Sequence, residues 1–255
     1  MNIAVCVKYA VDAQQVKFDP KTGEPLLKAA PRKLSDMDRR AIEEALRLKE
    51  KLGGKVVAFS VGDAAVKNAV KEIYAMGVDE VHIVADDKLK EVDTTTTAKL
   101  LAELIKKVGS FDLILCGAAS TDGYSWLVPG KIAAFLNVPF VPNAVALNVE
   151  NGKASVESDM GDGIYKFESS LPAVVSVLLE INEPRIPKLS DILKASKKKA
   201  EFHSLEDFEV EFVNSGVEEI RMPKVERKRV IFEVKDNVDE VVEKLIAELK
   251  KEGVL

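Results

Sequence analysis

The chain has 255 residues, 47% of them hydrophobic and 31% charged, with a net charge of −5. That length supports one large domain with its own core, or one domain plus an arm. The acidic balance argues against nucleic acid as a main partner, and no apolar run approaches the roughly 20 residues that span a bilayer.

Asn2 to Val7 predicts a buried strand. The opening MNIAVCVKYA lacks the basic start and small-residue cleavage site of a signal peptide, so a cytoplasmic protein is expected. Asp38 to Leu52 places Ala41, Ile42, Ala45, Leu46 and Leu52 at helical spacing, and Gly53-Gly54 stops it. Lys55 to Val61 reads as a strand, Ala64 to Met76 as a helix ended by Gly77, and Glu80 to Val84 as a strand. Thr94 to Val108 then reads as a helix, Asp112 to Cys116 as a strand and Leu127 to Leu136 as a helix. This alternation predicts an α/β fold, a mostly parallel doubly wound sheet covered on both faces.

After Pro139 the pattern changes. Val141 to Val149, Ala154 to Asp159, Ile164 to Ser169 and Ala173 to Leu179 read as strands joined by turn signals, an antiparallel appendage. Asn182 to Pro187 (NEPRIP) is expected as an extended, solvent-reachable loop, because two prolines forbid a regular ladder. Leu189 at its tip, with Lys194 and Lys197 to Lys199 behind, reads as a docking surface; a leucine tucked onto its own arm and a solvated basic face are the alternatives. Asn182 to Lys224 is long and weakly patterned, an arm that needs something to lie on. A strand (Arg229 to Val234) and an amphipathic helix (Val238 to Lys251) close the chain. The expected division is therefore 1–181, a nucleotide-binding domain with its appendage, and 182–255, a docking loop and C-terminal arm.

No Ser-His-Asp set, metal-ligand cluster or Walker loop is visible. His82 reads as structural and His203 as a surface residue of the arm. Cys6 and Cys116 sit in apolar strand patterns, which argues against a disulfide framework. The chain therefore reads as a binder. In an open α/β sheet ligands lie at the carboxyl ends of strands, near the switch in strand order. Strand one ends near Cys6 and Lys8, strand two at Ser60 to Asp63, and Leu34 to Asp38 leads into the first helix. Cys116-Gly117-Ala118-Ala119-Ser120-Thr121-Asp122-Gly123-Tyr124-Ser125 is the strongest local signal. Its small residues would let backbone approach a ligand, and the N–H groups from Trp126 onward could face phosphate. An ordinary strand-to-helix turn capped by Asp122 or Ser125 remains the alternative. At Asp93-Thr94-Thr95-Thr96-Thr97, Asp93 is a good N-cap and Thr94 and Thr97 share a face, suiting either a phosphate or a polar turn.

Together these segments resemble the electron-transfer flavoprotein beta subunit family along nearly the whole chain. IAVCVKYAVD (Ile3 to Asp12), LSDMDRRAIEEAL (Leu34 to Leu46), YAMGVDEVHIV (Tyr74 to Val84), VESDMGDGIYKFESSLPAVVSV (Val156 to Val177) and LPAVV through NEPR carry the resemblance. It implies nucleotide contacts at Cys6, Ser35, Asp36, Met37, Asp38 and Val61. It also implies a phosphate-cradling run from Cys116 through Gly123 to Tyr124, Ser125, Trp126, Leu127 and Val128, with Gly117, Ala118, Ala119, Ser120 and Asp122 inside it. The site would hold AMP in ordinary members and a second FAD in electron-bifurcating ones. Asp93-Thr94-x-x-Thr97, with Asp38, looks like the FAD-holding group. An alpha subunit carrying FAD, a flavin dehydrogenase, and a quinone- or ferredoxin-linked oxidoreductase are the implied partners, with a membrane reached only through a partner. Leu189 is the family's docking anchor. Departures are Leu127 in place of a usual Gln, Ser158 where a basic residue is common, and Ser190 in place of a proline. A stand-alone AMP- or ATP-binding regulatory module of the universal-stress type is the rival reading.

Overall fold

The computed structural model of the chain describes residues 1–90, 92–212, 220, 229–234 and 237–255. Its elements follow the expected alternation. Strand β1 (Asn2–Cys6) leads through the short antiparallel pair β2 (Tyr9–Val11) and β3 (Arg32–Leu34) into helix α1 (Asp36–Leu52). Then come β4 (Lys55–Gly62), α2 (Val70–Met76), β5 (Glu80–Ala85), α3 (Thr94–Val108), β6 (Leu113–Gly117) and α4 (Val128–Leu136). Next are β7 (Phe140–Glu150), β8 (Lys153–Asp159), β9 (Ile164–Ser170), β10 (Ala173–Val177), α5 (Leu189–Ala195) and β11 (Glu201–His203). Helix α6 (Val238–Lys251) ends the series. By internal contacts, Met1–Ile220 forms one compact unit and Arg221–Leu255 a second.

Among the described residues nine strands share one sheet, in the order β11-β5-β4-β1-β6-β10-β7-β8-β9. Strand alternation sends successive side chains to opposite faces. Ile3, Val5, Val56, Ala58, Leu113 and Leu115 therefore pack in one core with Ala41, Ile42 and Ala45 of α1. Ala4, Cys6, Val57, Phe59, Ile114 and Cys116 pack in the other with Leu100 and Leu104 of α3 and Ile132 of α4. The sheet is doubly wound because both faces are apolar and each needs a helical cover. Helix α3 spans the residues its pattern predicted, since Asp93 accepts a hydrogen bond from Thr96 N at 2.7 Å and Gly109 ends it.

Several expectations are corrected. Residues Ala64–Ala69 form a 3-10 turn, and α-helical geometry begins only at Val70. Strand β10 is not part of the antiparallel appendage; it pairs parallel with β6 and with β7. Within the nine-stranded sheet, among the described residues, the antiparallel pairings are β7-β8 and β8-β9, and they extend the same sheet. An apolar run such as AVVSV buries equally well in either pairing, so its direction is not written in its residues. Arg229–Val234 carries no strand.

The stretch after Asn182 is fastened to the helix beside it. The Asn182 side-chain amide donates to Arg40 O at 3.1 Å and Glu44 Oε2 at 3.0 Å, so this residue is buried rather than solvent-reachable. Arg185 Nε lies 2.8 Å from Glu43 Oε2 and its Nη1 2.6 Å from Glu50 Oε1. Beyond the loop, α5 buries Ala195, and Tyr74 Oη donates to Lys199 O at 2.9 Å. β11 then pairs parallel with β5, bringing His203 to His82, two residues that the sequence pattern placed apart.

Candidate functional site

Strand β1 lies between β4 and β6, and the chain winds outward from it in opposite directions. A doubly wound sheet opens a crevice at the carboxyl ends of the strands where winding reverses, here between β1 and β6. Asp38, in the first turn of α1, spans that opening. Its Oδ2 accepts from Lys8 N at 2.8 Å and its Oδ1 from Gly117 N at 3.1 Å. One carboxylate thus satisfies backbone donors at the ends of both switch-point strands. Burial outweighs these hydrogen bonds and raises its pKa from 3.8 to about 7.

The sign of that shift predicts a pH response. Between pH 3.8 and about 7 the folded state holds the Asp38 proton while the unfolded chain releases it. This residue's contribution is therefore fully present below pH 3.8 and declines as pH rises through about 7. Asp38→Asn removes that dependence, which urea unfolding midpoints measured across this range will reveal as a flatter profile. An unchanged profile would exclude Asp38 as its source.

Gly117 is required for the same geometry. A Cβ there would collide with Asp38 Oδ1 and stand 2.7 Å from Met37 Cβ. The space its missing side chain leaves is taken by α1, which lets the first turn of that helix close on β6. Ala118 and Ala119 are buried with Met37 and, more loosely, Leu178. Cys6 and Cys116 are register partners beneath this floor, both free thiols. The hydrogen bond with Cys6 and burial push the Cys116 thiol well above its ordinary pKa, so it is protonated.

Further out, the loop folds around Asp122. Its Oδ1 accepts from Lys8 Nζ at 2.6 Å and from Ser120 Oγ at 2.8 Å, while Oδ2 accepts from Val11 N at 3.2 Å. Burial works against the charged form, but the Lys8 ammonium and these donors hold the carboxyl below its ordinary value. Gly123 N donates to Ser120 Oγ at 3.3 Å. Tyr124 and Trp126 have φ of 44° and 60°, left-handed values uncommon for bulky residues, and their exposed rings meet edge to face at 5.3 Å. Neither Asp122 nor Ser125 caps α4. Leu127 occupies the cap position without a side-chain hydrogen bond, and Pro129 lies in the first turn.

At the start of α3, Lys131 reaches over from α4. Its Nζ donates to Thr94 Oγ1 and Thr95 Oγ1, both at 2.7 Å. Thr97 turns the other way, donating from Oγ1 to Asp93 O at 2.9 Å, so Thr94 and Thr97 do not present hydroxyls together. Lys131 and Thr95 were missed by sequence reasoning; a lysine one residue after Pro-Gly carries no local signal of its own. Asp36 pairs with Lys33 at 3.1 Å, and Val61 packs half-buried against the core facing α3. Among the described residues, the buried hydroxyls of Ser35 and Thr121 have no hydrogen-bond partner. Orphaned buried donors at a strand-end crevice fit a polar ligand.

The docking segment lies elsewhere. Leu189 opens α5 and is 73% exposed, with Ile186 and Leu193 exposed beside it. Lys194 faces solvent, 3.9 Å from Asp191. Lys198 instead turns inward, donating to Val78 O at 3.1 Å above the Tyr74 ring.

The chain matches the Electron transfer flavoprotein domain over residues 26–208. It is 32% identical to the electron transfer flavoprotein subunit beta of Thermoanaerobacterium thermosaccharolyticum, with all of both chains covered. This chain belongs to the electron transfer flavoprotein beta-subunit family. The beta subunit of Megasphaera elsdenii is 31% identical, covering 97% of this chain and 99% of its own. The caffeyl-CoA reductase-Etf complex subunit CarD of Acetobacterium woodii is 34% identical over 81% of this chain and 79% of its own. As an electron transfer flavoprotein beta subunit, the chain serves electron transfer in a flavin-associated complex with an alpha subunit. Nothing in these matches favours the stand-alone regulatory module. None of the helices among the described residues is long and apolar enough to cross a membrane.

Proposed function

We propose that the crevice between β1 and β6 holds FAD rather than AMP, and that the complex bifurcates electrons from NADH in the cytoplasm. One observation carries the choice. Lys131 sits in the first turn of α4 and its ammonium rests on the first turn of α3, so one cation joins the positive ends of two helices. Its direct partners there are hydroxyls, and the Asp93 carboxylate that caps α3 offsets only part of its charge from the far side of Thr95. Two converging helix termini and an ammonium suit the two phosphates of a dinucleotide better than the single phosphate of AMP. The exposed Tyr124–Trp126 pair adds an aromatic surface at the outer end of the same loop.

When bound, the flavin supplies the redox chemistry, and no side chain of this subunit need perform acid–base work. The chain's own residues bind and orient. Asp38 fixes the strand ends, Ser35 and Thr121 offer hydroxyls, and Lys131 meets phosphate. The alpha subunit would carry its own FAD. Leu189 with Lys194 would form the docking face for a flavin dehydrogenase, and a quinone- or ferredoxin-linked oxidoreductase would receive electrons. Val242 and Leu245 of α6, apolar and exposed, suit contact with a partner chain.

Titration of the nucleotide-stripped complex tests this reading. FAD is expected to bind more tightly than AMP, and Lys131→Met to weaken FAD by roughly tenfold or more, the loss of a charge-assisted hydrogen bond. Tighter AMP binding, indifferent to Lys131→Met, would contradict it.

A further inference from the structure

The 255-residue chain contains two histidines, and the fold brings both to one point. β11 pairs with β5 so that Glu201 lies opposite His82 and His203 opposite Val84. Residues two apart on a strand share a face, so Glu201 and His203 project together toward His82. His82 Nδ1 stands 3.0 Å from His203 Nε2 and 3.6 Å from Glu201 Oε2. One ligand atom from each of the three residues lies within 4.8 Å of the others.

We propose that His82, Glu201 and His203 form a structural site for a divalent first-row transition metal, with Zn²⁺ the best fit. Tetrahedral zinc with bonds of about 2.0–2.1 Å requires ligand atoms about 3.3 Å apart. Two of the three edges, 3.0 Å and 3.6 Å, bracket that length and the third lies within 4.8 Å, so side-chain rotation at the exposed Glu201 would seat the ion. Two imidazoles and one carboxylate select zinc, cobalt or nickel over calcium and magnesium, which take oxygen ligands. Glu201 is exposed at the sheet edge, so water can fill the fourth position. The other ring nitrogen of His82 faces the Glu80 carboxylate at 3.8 Å, beyond hydrogen-bond reach but placed to become an outer-shell partner if the imidazole turns onto an ion. Phe59 stacks on the His82 ring at 5.7 Å and fixes its plane from the core side.

The consequence is mechanical. One ligand comes from β5 and two from β11, the strand that follows α5. A bound ion would rivet the end of the Leu189 segment to the sheet edge, adding to the three residue pairs of β11 with β5 and the Tyr74–Lys199 and Lys198–Val78 hydrogen bonds. Nothing in the proposed flavin site is involved, so the two readings stand or fall separately.

The test uses the whole complex after chelator treatment, titrated with Zn²⁺ and separately with Co²⁺. Wild type is expected to bind Zn²⁺ at micromolar concentration or below, to melt several degrees higher with it, and to give the strong visible bands of four-coordinate cobalt. His203→Ala should bind one ion fewer and lose the thermal response and those bands. Glu201→Gln should bind roughly tenfold more weakly or worse, while flavin content stays unchanged in both variants. If wild type binds no Zn²⁺, the 3.0 Å contact is only a hydrogen bond between imidazoles and the proposal fails. Equal binding by wild type, His203→Ala and His82→Gln would mark an adventitious ion and overturn it too.

Discussion

Gly117→Ala is expected to destabilise the subunit by about 2–6 kcal/mol and to empty the proposed nucleotide crevice. The added methyl group would meet Asp38 Oδ1, Met37 Cβ and Asp38 N, all in the first turn of α1. None of these is the free end of a flexible side chain, because Asp38 is pinned by Lys8 N and Gly117 N. Relief requires α1 to withdraw from β6, at about 1–3 kcal/mol for overpacking, and leaves buried N–H groups unpaired at about 1–3 kcal/mol more. Urea unfolding followed by far-UV circular dichroism measures the first effect, and flavin and adenine nucleotide retained on purification measure the second. A Gly117→Ala protein with the wild-type midpoint and full nucleotide content would show that α1 does not close on β6 in this way.

Leu189→Glu is expected to act at the opposite end of function. With the residue 73% exposed, its replacement should leave the folded subunit's stability within about 0.5 kcal/mol of wild type. If Leu189 anchors the proposed dehydrogenase, electron delivery from that dehydrogenase should nevertheless fall by about thirtyfold in kcat/KM, the loss of a hot-spot anchor worth about 2 kcal/mol. Ile186 and Leu193 provide apolar surroundings in which a carboxylate is poorly received. Chemical reduction of the complex by dithionite should be unaffected, which separates docking from flavin competence. An unchanged rate with the dehydrogenase would remove Leu189 from the docking face.

Much of this molecule is legible in its residues because local signals and burial agree. Helix α3 has a capping aspartate, an apolar stripe and a terminal glycine, and its predicted span matches the one observed. The parallel strands β1, β4, β5 and β6 are apolar runs between helical patterns, and such runs have few other places to go. Where tertiary pairing decides, the signal fades. β10 could have joined either part of the sheet, and β11, three residues long, forms because β5 leaves an open edge. Arg185 turns what reads as a free loop into a clamp on α1, through Glu43 and Glu50.

The site shows the same division. Residue types at strand ends pointed to Asp38 and to the Gly117–Val128 loop. Their roles depended on long-range geometry: Asp38 bridging β1 and β6, and Gly117 making room for a helix rather than a ligand. Lys131 and the His82–His203 contact join residues 36 and 121 positions from their partners, distances over which sequence pattern says nothing.

The central claim, FAD in the crevice between β1 and β6, is tested most directly by composition. The purified heterodimer is extracted with acid, and flavin and adenine nucleotides are quantified against protein. Two flavins and no AMP per heterodimer are predicted; one flavin with one AMP would contradict the account.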